Sequence, residues 1–140
     1  MIAYRIGQEG LDVEAMIELY VASTLGERRP VEDRDRMAGM LAGANLIVTA
    51  WDGELLVGIS RALTDWSYAT YLSDLAVRRS HQRQGIGREL IRRTAAAAPR
   101  AKVILLSAPG AVDYYPRVGL ERHPAAFVTP DECPESQIRG

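Results

Sequence analysis

Apolar residues recur along this chain with two different periods, and the switches between them mark out its elements. Ile2 to Gly7 reads as a short first strand. From Asp12, an N-cap candidate with Glu14 and Ala15 in the turn after it, apolar residues fall at Val13, Met16, Ile17, Tyr20 and Val21. Spacings of three and four predict an amphipathic helix, closed by Gly26. Arg28-Arg29-Pro30 is a loop, and Pro30 is placed to open a second helix through Met37, Met40 and Leu41, ending near Gly43. Leu46 to Trp51 predicts a strand, Asp52-Gly53 a hairpin turn, and Leu55 to Leu63 its partner. Asp65-Trp66-Ser67 turns into a long strand, Tyr68 to Val77.

Farther on, Ile86, Leu90, Ile91, Thr94 and Ala98 mark one face of a helix that Pro99 stops, while Glu89 and Arg93 can pair one turn apart on another face. Val103 to Leu106 is a bare apolar run, predicted to be a strand buried on both faces. Val112 to Val118 is predicted as a short helix, Glu121 to Val128 as a last strand, and residues 130–140 as a loose tail. No repeat or linker divides the 140 residues, so a single domain over 1–140 is expected.

Composition narrows the classes. Charged residues at 25% and hydrophobic ones at 47% are ordinary for a globular protein. A net charge of −1 gives no general drive toward nucleic acid or an anionic membrane. The arginines at 78, 79, 83, 88, 92 and 93 form a dense stretch, but local and without interleaved aromatics, so no nucleic-acid partner is expected. Cys133, the only cysteine, excludes a disulfide framework and is expected to be an incidental exposed thiol. His81 and His123 have no partner at metal spacing and are expected on the surface, so no metal is expected. With no membrane-length apolar run and no signal pattern, a cytoplasmic protein without a membrane partner is expected.

The chemistry concentrates at Gln82-Arg83-Gln84-Gly85-Ile86-Gly87, between the long strand and the helix after it. Gly85 and Gly87 let the main chain take conformations closed to other residues and approach a ligand closely. Free N–H groups at the helix start, with the helix dipole, favour an anion there, and Arg78, Arg79, Arg83 and Arg88 add positive charge. A Walker loop is excluded, because Gly87 is followed by Arg88 and Glu89. A dinucleotide fingerprint is excluded too, because Leu90 stands where its third glycine belongs.

What remains is Gln-x-x-Gly-x-Gly, preceded by Tyr71-Leu72-Ser73-Asp74-Leu75-Ala76-Val77. That arrangement resembles the pyrophosphate loop of the GNAT superfamily of N-acetyltransferases, with the strand that runs into it. Ala111-Val112-Asp113-Tyr114-Tyr115-Pro116-Arg117-Val118-Gly119-Leu120 is similar to the family's late motif, Ala-x-x-Phe/Tyr-Tyr-x-x-x-Gly-Phe. The resemblance covers residues 45 to 128, with a compatible helix pair before them. It implies an α/β (α+β) fold, a mixed and mostly antiparallel sheet flanked by helices. Two central strands, mapped to 68–77 and 103–108, would splay, with acetyl-CoA in the gap.

The resemblance also implies roles. The backbone of Leu75, Ala76 and Val77 would bind the pantetheine arm and polarise the acetyl carbonyl. Main-chain N–H groups of Arg83, Gln84, Gly85, Ile86, Gly87 and Arg88 would hold the pyrophosphate, with Gln82 bracing the turn. Tyr115 would protonate the CoA thiolate; its other reading is a Tyr packed beside Tyr114. Asp74 is the carboxylate nearest the expected reaction centre and a candidate base. Its other readings are an Asp that holds a strand bulge or one that binds substrate charge, and a neutral amine would need no base. Many relatives carry Glu-Asp where this chain has Ser73-Asp74, and an Asn contacting the cofactor where it has Ala108, with Ser107 a candidate replacement.

For the acceptor, Trp51, Trp66, Tyr68 and Tyr71 read equally as pocket lining or as sheet packing. Glu27, Glu32, Asp33 and Asp35 read as attractors for a cationic acceptor or as caps and solvated faces. The expected function is transfer of acetyl from acetyl-CoA to a primary amine of a small molecule or peptide, by direct attack through a tetrahedral intermediate. The alternative is a non-catalytic acyl-CoA-binding or regulatory module on the same fold. A homodimer is common in the family.

Overall fold

Both periods turn into one sheet with helices on its two faces. In the computed structural model, which describes residues 1–130, 132 and 134–139, the order is β1 (Ile2–Ile6), α1 (Val13–Ala22), α2 (Arg34–Gly43), β2 (Leu46–Asp52), β3 (Leu55–Thr64), β4 (Ala69–Val77), α3 (Ile86–Ala97), β5 (Lys102–Ile104) and α4 (Tyr114–Arg117). The strands lie side by side in sequence order. β1 to β4 pair antiparallel, and β5 joins β4 in parallel. One compact unit, Met1–Leu106, holds the sheet and α1 to α3; a second, Ser107–Gly140, holds α4.

The central strands are apolar on both faces because both faces are covered. On one, Met16, Leu19, Tyr20 and Met37 from α1 and α2 cluster with Ile47, Ile59 and Ala76. On the other, Ile86 and Leu90 of α3 cluster with Val48, Ala50 and Val57. Gly58 sets how closely α3 approaches: a Cβ there would stand 3.0 Å from Leu90 Cδ1 and 3.1 Å from Ile86 Cγ2. The first turn of α3 is thereby pinned to β3, and the loop leading into it is fixed from behind.

Four expectations change. The first helix ends at Ala22 because the Ser23 hydroxyl accepts the Leu25 N–H at 3.2 Å and opens a 3-10 turn, Thr24–Arg28. The second begins after Asp33, whose carboxylate accepts the Arg36 N–H at 3.1 Å, while Pro30 belongs to the turn before it. β5 is a three-residue edge strand, so Ile104 and Leu106 are exposed, where burial on both faces was expected. Residues 121–128 form no strand: Pro124 has no N–H to donate, and the Ala125 N–H turns back to His123 Nδ1 at 3.2 Å. The expected tail contains a 3-10 turn, Pro134–Gln137, and Cys133 lies outside the described residues.

Candidate active site

The site begins where β4 leaves its neighbours. Its pairing with β5 runs Ala69↔Lys102, Thr70↔Val103 and Tyr71↔Ile104, and stops. There the β3–β4 register slips: Arg61 opposes Asp74 and Ala62 opposes Leu72, leaving Ser73 as an extra residue. Such a bulge bends a strand and increases its twist. Beyond it the Arg78 N–H donates to Val57 O at 2.8 Å, so the ladder to β3 continues. By alternation, the N–H groups of Leu75 and Val77 point the other way, to an edge that no strand occupies. The Ala76 N–H points into the ladder, so two of the three expected backbone donors face the opening. The strands that part are β4 and an edge strand, not two central ones.

The turn after β4 is braced from several sides. Arg78 reaches Glu18 with two N–H groups, at 2.7 and 2.5 Å, and donates to Leu56 O at 2.8 Å. His81 Nε2 lies 2.9 Å from Asp52 Oδ2 and its Nδ1 2.7 Å from Ser80 Oγ, so His81 is a half-buried strut to the β2–β3 hairpin. The His81 hydrogen bond holds the Asp52 carboxyl below its ordinary value. Gln82 Nε2 donates to Val77 O at 3.0 Å and closes the turn.

Two left-handed residues then shape the loop, Arg83 at φ 62° and Gly85 at φ 84°. Backbone of this kind gathers successive N–H groups into an anion-binding concavity. Gly85 opens α3, accepting the Glu89 N–H at 3.0 Å, and offers no side-chain cap. A Cβ on Gly85 would meet nothing within 4 Å, and the first N–H groups of α3, those of Ile86, Gly87 and Arg88, have no partner within the helix. Arg83 and Arg88 are exposed and hold no ion pair among the described residues. Arg92 and Arg93 are occupied, at 2.6 and 2.9 Å from Glu89, whose carboxyl they pull down to about 2. Open amides and two uncommitted guanidinium groups fit the diphosphate of coenzyme A.

Asp74 has a different environment from the one expected of a base. It is fully buried, and its carboxylate accepts from Arg61 Nε at 2.5 Å, Arg29 Nε at 2.6 Å and the Tyr20 hydroxyl at 2.6 Å. Arg61 also donates to Ser73 Oγ at 2.9 Å and Met40 O at 3.1 Å; Arg29 donates to Ser73 O at 2.8 Å. Burial pushes the Asp74 carboxyl up, but the hydrogen bond and charge of Arg61, with Tyr20 and Arg29, more than reverse this, and it titrates below its ordinary value. Burial, with the charge and hydrogen bond of Asp74, pushes the Tyr20 phenol well up. A carboxylate so engaged does not collect protons. Of the readings open for Asp74, this geometry favours the anchor of the bulge over the base. Sequence reasoning missed Arg29, Arg61 and Tyr20; the available signal was a charged residue, Arg61, at an inward position of an otherwise apolar strand.

Tyr115 lies in the second unit, half-buried on α4. Its ring meets Tyr114 edge-on, with centroids 5.2 Å apart. Its carbonyl accepts the Leu120 N–H at 3.0 Å, and Pro116 O accepts that of Gly119 at 3.2 Å, a Schellman stop. Gly119 stands at φ 106°, which explains the glycine of the late motif. Ala108 precedes the 3-10 turn Pro109–Ala111, and the Ser107 hydroxyl donates to Ala108 O at 2.7 Å.

A family model described as an acetyltransferase (GNAT) domain matches residues 21–129, a stretch that runs through both units. The chain belongs to the GNAT acetyltransferase domain family. It is similar to a GNAT-family acetyltransferase from Streptococcus pneumoniae TIGR4, at 24% identity over 94% of this chain and 100% of that one, with TM-score 0.74. It is similar to an aminoglycoside N-acetyltransferase in complex with CoA, at 15% identity over 95% and 96%, with TM-score 0.72. It is also similar to a transcriptional regulator from Bacillus halodurans C-125, at 21% identity over 91% and 98%, with TM-score 0.70. A search of curated proteins found no matching relative. These likenesses show the fold, a mostly antiparallel α/β sheet with helices, which hosts more than one role.

On the α1/α2 face of this GNAT domain, an open cleft of about 510 Å³ is lined by Asn45, Leu63, Thr64, Asp65 and Tyr71, among others. Tyr71 is therefore a lining residue. Trp51 is packing: buried, it donates Nε1–H to Thr49 Oγ1 at 2.7 Å and lies under Arg5 at 4.5 Å. Trp66 and Tyr68 are exposed in the β3–β4 turn, which Asp65 holds by accepting the N–H groups of Ser67, Tyr68 and Ala69. Glu27, Glu32, Asp33 and Asp35 are all exposed; Asp33 caps α2, and Glu27 lies 4.0 Å from Arg79. Among the described residues, no group of His, Cys, Asp or Glu is arranged to hold a metal ion, and no helix is long and apolar enough to cross a membrane.

Proposed function

We propose that this GNAT domain is a cytoplasmic N-acetyltransferase that moves the acetyl group of acetyl-CoA to the primary amine of a small molecule or peptide. The observation that carries this reading is a row of backbone donors left without strand or cap partners. The outward N–H groups of Leu75 and Val77 lead along β4 to the uncapped N–H groups of Ile86, Gly87 and Arg88. In this reading the Leu75 and Val77 amides bind the pantetheine arm and polarise the acetyl carbonyl, where an oxyanion develops as the amine attacks. The loop from Arg83 to Arg88 takes the pyrophosphate, with the two unpaired arginines nearby. Tyr115 donates its phenolic proton to the departing thiolate. Because Asp74 is engaged by two arginines, the amine enters neutral or releases its proton to water.

A non-catalytic acyl-CoA-binding module is the second reading, since the likeness to a protein named as a transcriptional regulator reaches TM-score 0.70. Calorimetric titration with acetyl-CoA, followed by free-thiol release across a broad amine panel, separates the two. Saturable binding with turnover supports the transferase. Binding without turnover of any amine supports the module, and absence of binding removes both.

A further inference from the structure

We infer that the acceptor amine carries an anionic group, a carboxylate in the first instance, which is received by Arg29 at the edge of the buried Asp74 cluster. This rests on the transferase reading and adds a substrate class to it.

The charge within the cluster does not balance. Asp74 supplies one negative charge against the two positive charges of Arg29 and Arg61, both in direct contact with it. The acidic side chains on α1, which packs over this face, are engaged elsewhere: Glu18 with Arg78 and Glu14 with Arg34. Tyr20 contributes a neutral phenol. One positive charge is left over at a site largely shielded from water, where an unpaired charge is unfavourable.

The surplus faces outward at Arg29. Its side chain is 23% exposed, against 8% for Arg61. Of the five N–H donors of a guanidinium, Arg29 uses Nε on Asp74, one of Nη1 on Arg28 O and one of Nη2 on Ser73 O. Two donors remain. Asp74 and the Ser73 carbonyl hold the group in a fixed orientation, which is what recognition of a carboxylate by Arg requires.

The position suits an acceptor. Arg61 reaches Met40 O of α2, so it lies on the α1/α2 face, and Leu63, two residues along β3, shares that face. Leu63 pairs with Tyr71, and both line the open cleft. The cleft and the cluster are thus consecutive rows on one face, about 7 Å apart, beside the strand whose outward amides would hold the thioester. An amine lying over Leu63 and Tyr71 with its carboxylate at Arg29 fits this layout. The surplus charge also lowers the proton affinity of a nearby ammonium, which favours the neutral nucleophile in a site whose carboxylate is no base.

The test uses matched amines with the intact protein: phenylalanine, its carboxamide and phenethylamine, and leucine, its carboxamide and 3-methylbutylamine. Thiol release from acetyl-CoA is measured alongside calorimetric binding of acetyl-CoA. The expected result is a kcat/KM at least about tenfold higher for each acid than for its carboxamide, about 1.4 kcal/mol. Arg29→Gln should erase the preference through KM, and Arg29→Lys, which keeps the charge without the fork, should retain part of it. If Arg29→Gln does not fold, the wild-type ratios and the lysine variant decide. Equal or better use of the carboxamides or decarboxylated amines overturns the inference, as does no turnover of any of the six while acetyl-CoA binds. The transferase reading then still stands or falls on the broad amine panel, and loss of acetyl-CoA binding is its own separate failure.

Discussion

Replacing Asp74 by Asn separates the two roles a carboxylate at this position can have. Asn keeps the shape but removes the charge, and puts an NH2 group where donors from Arg61, Arg29 and Tyr20 now converge. Removing one partner of a buried ion pair costs about 3–5 kcal/mol. Arg29 is 23% exposed and can regain some water, and the Asn carbonyl still accepts one donor, so the lower end applies, about 3 kcal/mol. For a chain of this size that lowers Tm by about 10 °C. Urea denaturation should show a lower midpoint at unchanged slope.

The pH dependence adds a second check. The folded Asp74 carboxyl titrates below its ordinary value near 3.8, so its contribution is fully present at neutral pH and is lost as pH falls below about 4. The stability gap between wild type and Asp74→Asn should therefore close in acid. A variant that melts within about 2 °C of wild type, yet loses about a hundredfold or more in kcat at unchanged KM, would refute the reasoning. It would make Asp74 a base.

Three further outcomes are expected. Tyr115→Phe should lower kcat by about a hundredfold or more, the scale of a general acid, with acetyl-CoA affinity by calorimetry unchanged. Gly58→Val should lose about 1–3 kcal/mol in urea denaturation, because a Cβ there already stands 3.0 Å from Leu90 Cδ1 and 3.1 Å from Ile86 Cγ2. Its acetyl-CoA affinity should fall as well, since α3 moves with its first turn. Gly85→Ala meets no atom within 4 Å and should lose only about 1–2 kcal/mol, from the left-handed backbone at φ 84°.

What could be read from the residues in order was local. The cradle is one contiguous run, and its glycines, flanking strand and following helix each leave a nearby mark in the sequence. The β2–β3 hairpin is equally local, a turn signal between two apolar runs. The Asp74 cluster is not: Tyr20, Arg29 and Arg61 reach Asp74 across 54, 45 and 13 residues. In the sequence Tyr20 reads as part of an apolar helix face, Arg29 as part of a loop and Arg61 as a lone charge in a strand, and nothing there joins them to Asp74. The apolar run at 103–106 raised a related difficulty. Hydrophobicity suggests a buried strand, but whether a second neighbour covers it depends on where the sheet ends, and β5 is where it ends. Residues 121–128 carry strand-like composition without a strand to pair with, which no periodicity registers.

The extra residue at Ser73 links the two halves of the proposed chemistry. Were Ser73 instead paired with Arg61 in a regular ladder, Asp74 would fall opposite Ser60 on the other face, away from Arg61 and Tyr20. With the bulge, Ser73 and Asp74 both meet Arg61, through Ser73 Oγ at 2.9 Å and Asp74 Oδ2 at 2.5 Å. The same insertion lies just past Tyr71↔Ile104, where β4 and β5 stop pairing and the edge carrying the Leu75 and Val77 amides is exposed. A cluster that fixes the bulge therefore also fixes the slot. That accounts for a wholly buried carboxylate, held between two arginines, beside a strand edge whose donors have to stay free of any other strand.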